Sequence, residues 1–211
     1  MKTCVLFDLD GTLLDTLQDL TDCVNHALAE FNYPPRTPAE IRSFLGVGAT
    51  QLIIRSLPEG VAYEPVLEVY TAWYKDHCEE KTVPYPGIPA ALEAISQKYP
   101  VGIVSNKPDH AVKQMAKVYF GDIYALGEKP EVPHKPEPDM LYRAMKELGA
   151  DRCIYVGDSD VDVITAKNAG CPCVSVTWGF RDVEELLAAG AANLCDDAAD
   201  LPAIIDQIAN S

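Results

Sequence analysis

Short apolar runs alternate with segments of helical periodicity from residue 83 to the end of the chain, and this alternation limits the possible folds most. The runs Val101–Val104, Cys153–Val156 and Cys173–Val176 are typical of buried strands, and a helical segment follows each of them. Such an alternation predicts a parallel sheet covered by helices on both faces. A further apolar run, Cys4–Phe7, provides another strand near the start of the chain. The predicted fold class is therefore α/β.

The stretch from residue 16 to residue 82 contains helical patterns and no apolar strand run. Four helices are predicted there, over 16–31, 38–45, 49–56 and 65–77. Thr37 is suited to cap the second helix, and one face of the fourth is predicted to hold Val66, Val69, Tyr70, Trp73 and His77. Because hinges near 14–16 and 82–87 flank this stretch, we expect a core of residues 1–15 and 83–211 with an inserted helical domain of residues 16–82. Insertions of this kind beside an active site commonly act as lids.

The chain is strongly acidic, with 17 basic and 32 acidic residues among 211 and a formal net charge of −15. Such a surface repels nucleic acids and anionic membranes, so neither is expected as a partner. An anionic substrate would need a local positive site made by a metal ion, a lysine or helix N-termini.

The sequence also bears on where the protein resides. No stretch of about 20 apolar residues is present, so no transmembrane helix is expected. The first strand begins too early to leave room for a signal peptide. The seven cysteines lack the spacing of a disulfide framework or a zinc site, which favours buried, reduced thiols. These features predict a cytoplasmic protein, and no signature of an oligomeric state is present.

Two carboxylates follow the first strand directly, in Asp8-Leu9-Asp10-Gly11-Thr12. They are predicted to lie at the C-terminal tip of the strand, where open α/β sheets bind ligands. Two neighbouring carboxylates repel each other unless a proton or a cation lies between them, and hard oxygen ligands suit Mg²⁺. Asp8 could then attack an electrophile while Asp10 transfers a proton. A surface turn after a strand is the alternative interpretation of this segment alone.

Two further segments are suited to bind phosphate. Ser105 follows the strand run Val101–Val104, and its hydroxyl suits either a phosphate oxygen or the cap of the next helix. Lys135 lies in the loop His134-Lys135-Pro136-Glu137-Pro138-Asp139, whose two prolines fix its backbone. Its ammonium can pair with a phosphate and with a nucleophilic carboxylate, although a solvated lysine in an ordinary proline-rich loop is the alternative.

A last acidic segment, Gly157-Asp158-Ser159-Asp160-Val161-Asp162, follows the strand run Cys153–Val156. Asp158 is placed at the strand tip and could complete the ligands of a Mg²⁺ ion. Asp162, one helical turn later, could hold a metal-bound water or Lys135. Asp160 is expected to cap the helix or to face solvent. The helix dipole alone would also favour acidic residues at this position.

These segments resemble, in the same order, the four motifs of the haloacid dehalogenase superfamily of phosphohydrolases. The resemblance lies in Asp8–Asp15, in Ser105, in Lys135-Pro136-Glu137-Pro138-Asp139 and in Gly157–Asp162. It implies a Rossmann-like core with a parallel sheet and an inserted all-helical cap domain between the first and second motifs. An insertion at this place is similar to that of the branch containing phosphoglycolate phosphatases and β-phosphoglucomutases.

The resemblance also implies a role for each motif residue. Asp8 is implied as the nucleophile that forms an aspartyl-phosphate, and Asp10 as the acid and base of the two steps. The phosphoryl oxygens would be held by Ser105, the backbone of Asn106, and Lys135. A Mg²⁺ ion would be held by Asp8, the main-chain carbonyl of Asp10, and Asp158, with Asp162 supporting the site from behind.

The implied function is Mg²⁺-dependent hydrolysis of a small phosphorylated metabolite, with phosphoglycolate as the leading substrate. Gly46-Val47-Gly48 and Trp178-Gly179-Phe180 resemble features of phosphoglycolate phosphatase-like proteins. A β-phosphoglucomutase-like phosphomutase is an alternative, but the histidine usual in mutases is missing after Asp15-Thr16. A pyrophosphatase also stays open. The complete set of motif residues disfavours a non-catalytic binding protein on this fold. In the cap, Arg42 and Arg55 could contact the substrate or could form a solvated helix face.

Overall fold

The computed structural model describes all 211 residues and contains a six-stranded parallel sheet. Its strands are β1 (Thr3–Phe7), β4 (Val101–Pro108), β5 (Tyr124–Glu128), β6 (Arg152–Gly157), β7 (Cys173–Val176) and β8 (Asn193–Cys195). Their order across the sheet is β5-β4-β1-β6-β7-β8. A separate antiparallel ribbon pairs β2 (Leu14–Asp15) with β3 (Val83–Pro84). The predicted α/β class with a parallel sheet is confirmed.

Helices follow the strands in alternation and cover both faces of the sheet. After residue 85 they are α5 (Ile88–Ser96), α6 (Asp109–Phe120), α7 (Asp139–Glu147), α8 (Asp160–Ala169), α9 (Val183–Ala189) and α10 (Leu201–Ala209), with a 3₁₀ turn at Ala198–Asp200. Val5 and Phe7 of β1 belong to the larger apolar cluster with α5, α6 and α10. Cys4 and Leu6 belong to a second cluster with α7 and α8. This period-two division makes β1 a strand buried on both faces.

The register of the central strands brings their C-terminal ends together. Phe7 pairs with Ile103 of β4 on one side and with Val156 of β6 on the other. Because all three strands run parallel, the residues that follow them leave the sheet at the same edge. The residues predicted to bind the substrate and the metal therefore gather at one place.

Residues 16–82 form four helices between β2 and β3, namely α1 (Leu17–Glu30), α2 (Pro38–Phe44), α3 (Ala49–Ser56) and α4 (Glu64–His77). We call this stretch the helical block. It packs around its own apolar cluster, to which Ala111 and Phe180 contribute from outside the block. The predicted N-cap is confirmed, since Thr37 forms a capping box with Glu40.

Helix α4 buries Val66, Tyr70 and Tyr74, whereas Trp73 is 37% exposed. Trp73 stacks between the rings of His26 and His77 on the outside of the block, with ring centroids 3.7 Å apart in both pairs. The face predicted from the sequence included Trp73 and did not include Tyr74, which the structure buries.

Three further expectations concern the end of strand β4, the cysteines and membrane-spanning helices. Strand β4 does not end at Val104 but continues to Pro108, with an irregularity in its pairing to β5. All seven cysteines are free, and five are buried while Cys171 and Cys173 are half-buried. None of the helices combines the length and the apolar character needed to cross a bilayer.

Candidate active site

Three carboxylates meet at the edge of the sheet where the central strands end. Asp8 follows β1, Asp158 follows β6, and Asp162 lies in the first turn of α8. A carboxylate oxygen from each lies within 4.8 Å of one from the other two, and all three side chains are buried. The backbone N–H of Asp8 donates to the carbonyl of Val156 at 2.9 Å, which extends the β1–β6 pairing up to the site. The sheet itself therefore sets the separation of Asp8 and Asp158.

Lys135 lies between two of these carboxylates. Its Nζ is 3.0 Å from Asp8 Oδ2 and 2.7 Å from Asp162 Oδ1, and it also donates to the hydroxyl of Tyr155 at 2.8 Å. Burial disfavours the ammonium, but the charges of Asp162 and Asp8 outweigh burial and raise the pKa of Lys135 above its usual value. The lysine is therefore a fixed buried cation beside Asp8. Tyr155, which the sequence analysis did not single out, helps to hold it.

Asp162 accepts more hydrogen bonds than either of the other two carboxylates in the cluster. Its Oδ1 accepts hydrogen bonds from Lys135 and Tyr155, and its Oδ2 accepts them from the N–H of Asp158 and from the N–H and hydroxyl of Ser159. Burial acts against the carboxylate, but Lys135 and these donors lower the pKa of Asp162. Asp162 also completes a capping box with Ser159 at the start of α8. The helix cap is thus Ser159 and not Asp160.

Asp158 is held at a point where neighbouring glycines leave space for its side chain. Its Oδ1 accepts from the hydroxyl of Thr12 at 2.7 Å, and its Oδ2 accepts from the N–H of Phe180 at 2.8 Å. A Cβ atom on Gly11 would lie 2.3 Å from Asp158 Oδ2, and a Cβ atom on Gly179 would lie 2.2 Å from the Cβ of Asp158. These two positions therefore need glycine, which explains the Gly11-Thr12 and Trp178-Gly179-Phe180 segments physically.

The residues present fit a divalent cation. Burial raises the pKa of Asp8 to about 7, with Lys135 opposing the shift, and burial together with Asp162 and Asp8 raises that of Asp158 to about 8. Two buried carboxylates that resist ionisation side by side are the donors that a hard cation such as Mg²⁺ stabilises. Asp8 and Asp158 fit this role better than Asp162, because each of their oxygens has one partner in the protein, whereas Oδ1 of Asp162 has two and Oδ2 has three.

Asp10 has a partner that sequence analysis missed. Its Oδ1 lies 2.5 Å from Nζ of Lys107, which is buried and lies 5.2 Å from the ring centroid of Tyr74. The sequence showed Lys107 only as the residue after Ser105-Asn106. Its contact with Asp10 depends on the irregular end of β4, which the apolar pattern of that strand does not reveal.

Ser105 and Asn106 lie where β4 reaches the site, and both are buried. Ser105 lines the same cavity as Asp8 and Asp10. The side chain of Asn106 accepts from the N–H of Lys135 at 2.8 Å and donates to the carbonyl of the same residue at 2.9 Å. Asn106 therefore fixes the loop that carries Lys135, a role that differs from the backbone contact implied for it.

The helical block closes over this edge of the sheet through a pair of arginines. Arg181 donates to the carbonyls of Arg42 and Leu45, and its Nε donates to Asp160 at 3.0 Å. Arg42 in turn donates to the carbonyl of Gly179 and to Asp182. Arg42 therefore makes no hydrogen bond to the motif residues, and its side chain is 38% exposed. Arg55 is exposed and donates to the carbonyl of Phe44. Asp160 faces solvent in part, as expected, with its side chain 44% exposed, and it also pairs with Arg181.

The cavity between the helical block and the sheet is small. It offers about 50 Å³ to the centre of a water molecule, and Asp8, Asp10, Ser105 and Asp158 lie in its wall. From the helical block, the wall is formed by Leu20, Leu45, Gly46, Gly48, Ala49, Leu52, Tyr70 and Tyr74. Since one water needs roughly 10–15 Å³ by this measure, the space suits a ligand of a few non-hydrogen atoms.

Comparison with known proteins places this geometry in a family. The sequence pattern of haloacid dehalogenase-like hydrolases matches residues 5–176. Phosphoglycolate phosphatase of Rhodobacter capsulatus is 33% identical over 98% of this chain and 98% of its own length, and that of Agrobacterium fabrum is 32% identical over 99% and 94%. A crystal structure from Lactobacillus delbrueckii subsp. bulgaricus, of a protein assigned as a phosphoglycolate phosphatase by prediction, is 35% identical with a TM-score of 0.90 over 97% of this chain and 99% of that one. The chain therefore belongs to the haloacid dehalogenase-like hydrolase family, in its phosphoglycolate phosphatase-like branch, and is an enzyme of the phosphatase class.

Proposed function

We propose that this protein is a Mg²⁺-dependent phosphomonoester hydrolase that works through an aspartyl-phosphate on Asp8. The observation that carries the proposal is the position of the Asp8 carboxylate at the tip of the central strand, 3.0 Å from the ammonium of Lys135 and within 4.8 Å of a carboxylate oxygen of Asp158. A nucleophilic carboxylate next to a buried cation and a cation-binding carboxylate is the arrangement that phosphoryl transfer requires.

Each residue of the site has a part in the reaction. A carboxylate oxygen of Asp8 attacks phosphorus in line, and the bond between phosphorus and the leaving oxygen breaks as Asp10 gives that oxygen a proton. Water then attacks the aspartyl-phosphate, with Asp10 taking up a proton, and this restores both carboxyl groups. Ser105 and Lys135 hold the phosphoryl oxygens, while Asn106 keeps Lys135 in place through two hydrogen bonds to its backbone. Catalysis on this route is mainly positioning and charge neutralisation.

Asp8 and Asp158, with the main-chain carbonyl of Asp10, would hold a Mg²⁺ ion that offsets the negative charge on the phosphoryl group. We assign Asp162 no part in binding this ion, because its two oxygens accept five hydrogen bonds, whereas those of Asp158 accept two. Its contribution is to fix Lys135 and the backbone of Asp158.

We further infer that the helical block, residues 16–82, is a cap domain on a core formed by residues 1–15 and 83–211. Support comes from the ribbon of β2 and β3, which connects the block to the core at both ends, and from the apolar cluster of the block. The arginine pair then joins cap and core over the site. The free state of all seven cysteines agrees with a reducing, cytoplasmic environment.

Phosphoglycolate is the substrate that we favour. The cavity has room for a ligand of a few non-hydrogen atoms, so glycolate is small enough, whereas a sugar or nucleoside needs the cap to move away. The relatives from Rhodobacter capsulatus and Agrobacterium fabrum carry the same substrate in their names. Pyrophosphate is similar in size and is therefore the main competitor.

The test is phosphate release from a panel with Mg²⁺, containing phosphoglycolate, pyrophosphate, sugar phosphates and nucleotides. We expect phosphoglycolate to give the highest kcat/KM, EDTA to abolish release, and Mg²⁺ to restore it. Isomerisation of glucose 1-phosphate without hydrolysis would instead identify a phosphomutase. Phosphate release that persists in EDTA would contradict the metal assignment.

A further inference from the structure

The wall of the cavity has few polar groups outside the residues assigned to the phosphoryl group and the metal. Leu20, Leu45 and Leu52 make much of the side formed by the helical block, so an ionised leaving group would lack solvent there. Arg181 reaches the wall, and three of its five N–H donors go to Asp160 and to the carbonyls of Arg42 and Leu45. The other side chains in the wall that carry an ammonium or a phenol are Lys107, Tyr70 and Tyr74. Of the two tyrosines, Tyr74 is the one whose hydroxyl is fully buried without a hydrogen-bond partner.

Tyr74 has an unused hydrogen-bond donor. Its side chain is buried in the wall of the cavity, and its hydroxyl has no hydrogen-bond partner in the protein. Burial raises the pKa of Tyr74 far above its usual value, so the hydroxyl keeps its proton and can donate. A buried polar group without a partner costs free energy, and a ligand that supplies an acceptor recovers this cost.

Lys107 also has donors to spare. One N–H of its ammonium points to Asp10 at 2.5 Å, and a lysine ammonium has three. Its Nζ lies over the Tyr74 ring, 5.2 Å from the centroid, and both residues line the cavity whose wall includes Asp10. Asp10 is the residue toward which the leaving oxygen departs in the proposed reaction. A group attached to that oxygen would therefore meet Lys107 and Tyr74 next.

We propose that Lys107 and Tyr74 form a leaving-group subsite that selects phosphomonoesters bearing a carboxylate close to the ester oxygen. One carboxylate oxygen accepts from the ammonium of Lys107 and the other from the hydroxyl of Tyr74. The small volume limits the link between carboxylate and ester oxygen to about one or two carbons. The proposal rests on the phosphatase function given above and adds the contacts by which the substrate is recognised.

The test compares phosphoglycolate with 2-hydroxyethyl phosphate, in which CH₂OH replaces the carboxylate, using the full chain with Mg²⁺. In the wild-type protein kcat/KM should favour phosphoglycolate by about 100-fold. The variant Tyr74→Phe should lower this preference by about 10-fold, chiefly through KM, because a hydrogen bond to a charged group is lost. Lys107→Met should lower the preference further. It should also slow both substrates, because Asp10 loses its partner, so the ratio between substrates is the diagnostic quantity.

Two readouts separate this role from a structural one. Removal of an unpartnered hydroxyl breaks no hydrogen bond of the free protein, so the Tm of Tyr74→Phe should not fall. Tyr142→Phe is the matched control, because Tyr142 is 48% exposed on α7 and should keep the wild-type preference. Equal losses on both substrates in Tyr74→Phe, or an unchanged preference, would overturn the subsite.

A binding measurement keeps the subsite and the phosphatase function distinguishable. Glycolate with Mg²⁺ should raise the Tm of the wild-type protein more than ethylene glycol does, and Tyr74→Phe should lose most of this difference. Hydrolysis of both phosphate esters at equal rates would refute the subsite and leave the phosphatase function intact. If no ester is hydrolysed, the proposed function fails, and the glycolate-dependent Tm shift alone decides the subsite.

Discussion

Arg181 donates from Nη2 to the carbonyl of Leu45 at 2.8 Å, and Leu45 is the C-cap residue that follows helix α2. A guanidinium at this place satisfies carbonyls that a helix C-terminus leaves free. In return, Arg42 of α2 donates to the carbonyl of Gly179, two residues before Arg181. The two arginines thus join the helical block to the loop after β7. The same loop carries the N–H of Phe180 that donates to Asp158, so closure of the block and placement of Asp158 share one segment.

Replacing Arg181 should loosen this junction. Arg181→Gln removes the charged donor of three hydrogen bonds at a buried position, which should lower the free energy of unfolding by about 1–3 kcal/mol. KM should rise several-fold with a smaller change in kcat, because the block closes less often over the substrate. Hydrogen exchange of residues 38–48 and steady-state kinetics measure both effects. Arg55→Gln, at an exposed position with one hydrogen bond, is the control and should change neither.

Removal of the nucleophile should abolish turnover without loss of the fold. Asp8→Asn keeps the shape of the side chain, and Lys135 keeps its contacts with Asp162 and Tyr155. We expect kcat to fall by at least about a thousandfold, as is usual when a nucleophile is removed. Phosphate release and far-UV circular dichroism test the two parts. Asp139→Asn changes an exposed carboxylate in the first turn of α7 and should retain full activity. Comparable turnover in Asp8→Asn would exclude the aspartyl-phosphate route.

The pH dependence of stability in the metal-free protein should show how much it costs to ionise the buried carboxyl groups of Asp8 and Asp158 together. Burial raises their pKa values to about 7 and about 8, whereas such groups titrate near pH 4 in an unfolded chain. Between about pH 4 and pH 8 the folded state therefore binds more protons than the unfolded state, and the free energy of unfolding falls as pH rises. The lowered pKa of Asp162 changes the free energy of unfolding only below this pH range, and the raised pKa of Lys135 changes it only above this range.

Urea unfolding in EDTA at pH 5.5, 6.5 and 7.5 measures this effect. We expect a loss of about 1.4–2.8 kcal/mol per pH unit, since each group that stays protonated only in the folded state contributes about 1.4 kcal/mol. Mg²⁺ should stabilise the protein more at pH 7.5 than at pH 5.5, because it binds the ionised carboxylates. Asp158→Asn should flatten the profile by removing one of the two groups. A stability that rises with pH in EDTA would show that the cluster does not hold its protons.

The sequence was sufficient to predict the sheet and the sites of the motifs because the signals involved are local. The apolar runs mark the strands, and a residue that follows a parallel strand must lie at the binding edge, as Asp8 and Asp158 do. The Thr37 cap could be identified for the same reason, since the residues of a capping box are three apart. Helix ends and strand ends differ by a few residues from the predictions, most clearly at β4, where Ser105–Pro108 continue the strand.

Contacts between distant segments had no such signal. Lys107 meets Asp10 across 97 residues, and Arg181 meets Leu45 across 136. Side-chain direction at an irregular strand end or in a loop decides both contacts, and periodicity carries no information about it. Trp73 shows the same limit within a helix. Apolar spacing placed it on one face with Val66 and Tyr70, but it is 37% exposed and stacks with His26 and His77.

Gly11 should be required for metal binding, and the chain offers a matched control for this prediction. Gly11 and Gly60 have almost the same left-handed backbone, with φ of +81° and +82°. A Cβ on Gly11 would lie 2.3 Å from Asp158 Oδ2, whereas a Cβ on Gly60 would meet nothing within 4 Å. Both alanine variants therefore pay a similar backbone strain of about 1–2 kcal/mol, and only Gly11→Ala displaces Asp158.

We accordingly expect Gly11→Ala to need about 10- to 100-fold more Mg²⁺ for half-maximal activity, the usual effect of disturbing the support of a metal ligand. Gly60→Ala should lose a similar amount of stability and keep the wild-type Mg²⁺ requirement. Mg²⁺ titrations of activity and of Tm separate the two effects. An equal Mg²⁺ requirement in both variants would show that Asp158 can bind the ion from a displaced position. The close approach of Gly11 to Asp158 would then matter for packing and not for metal binding.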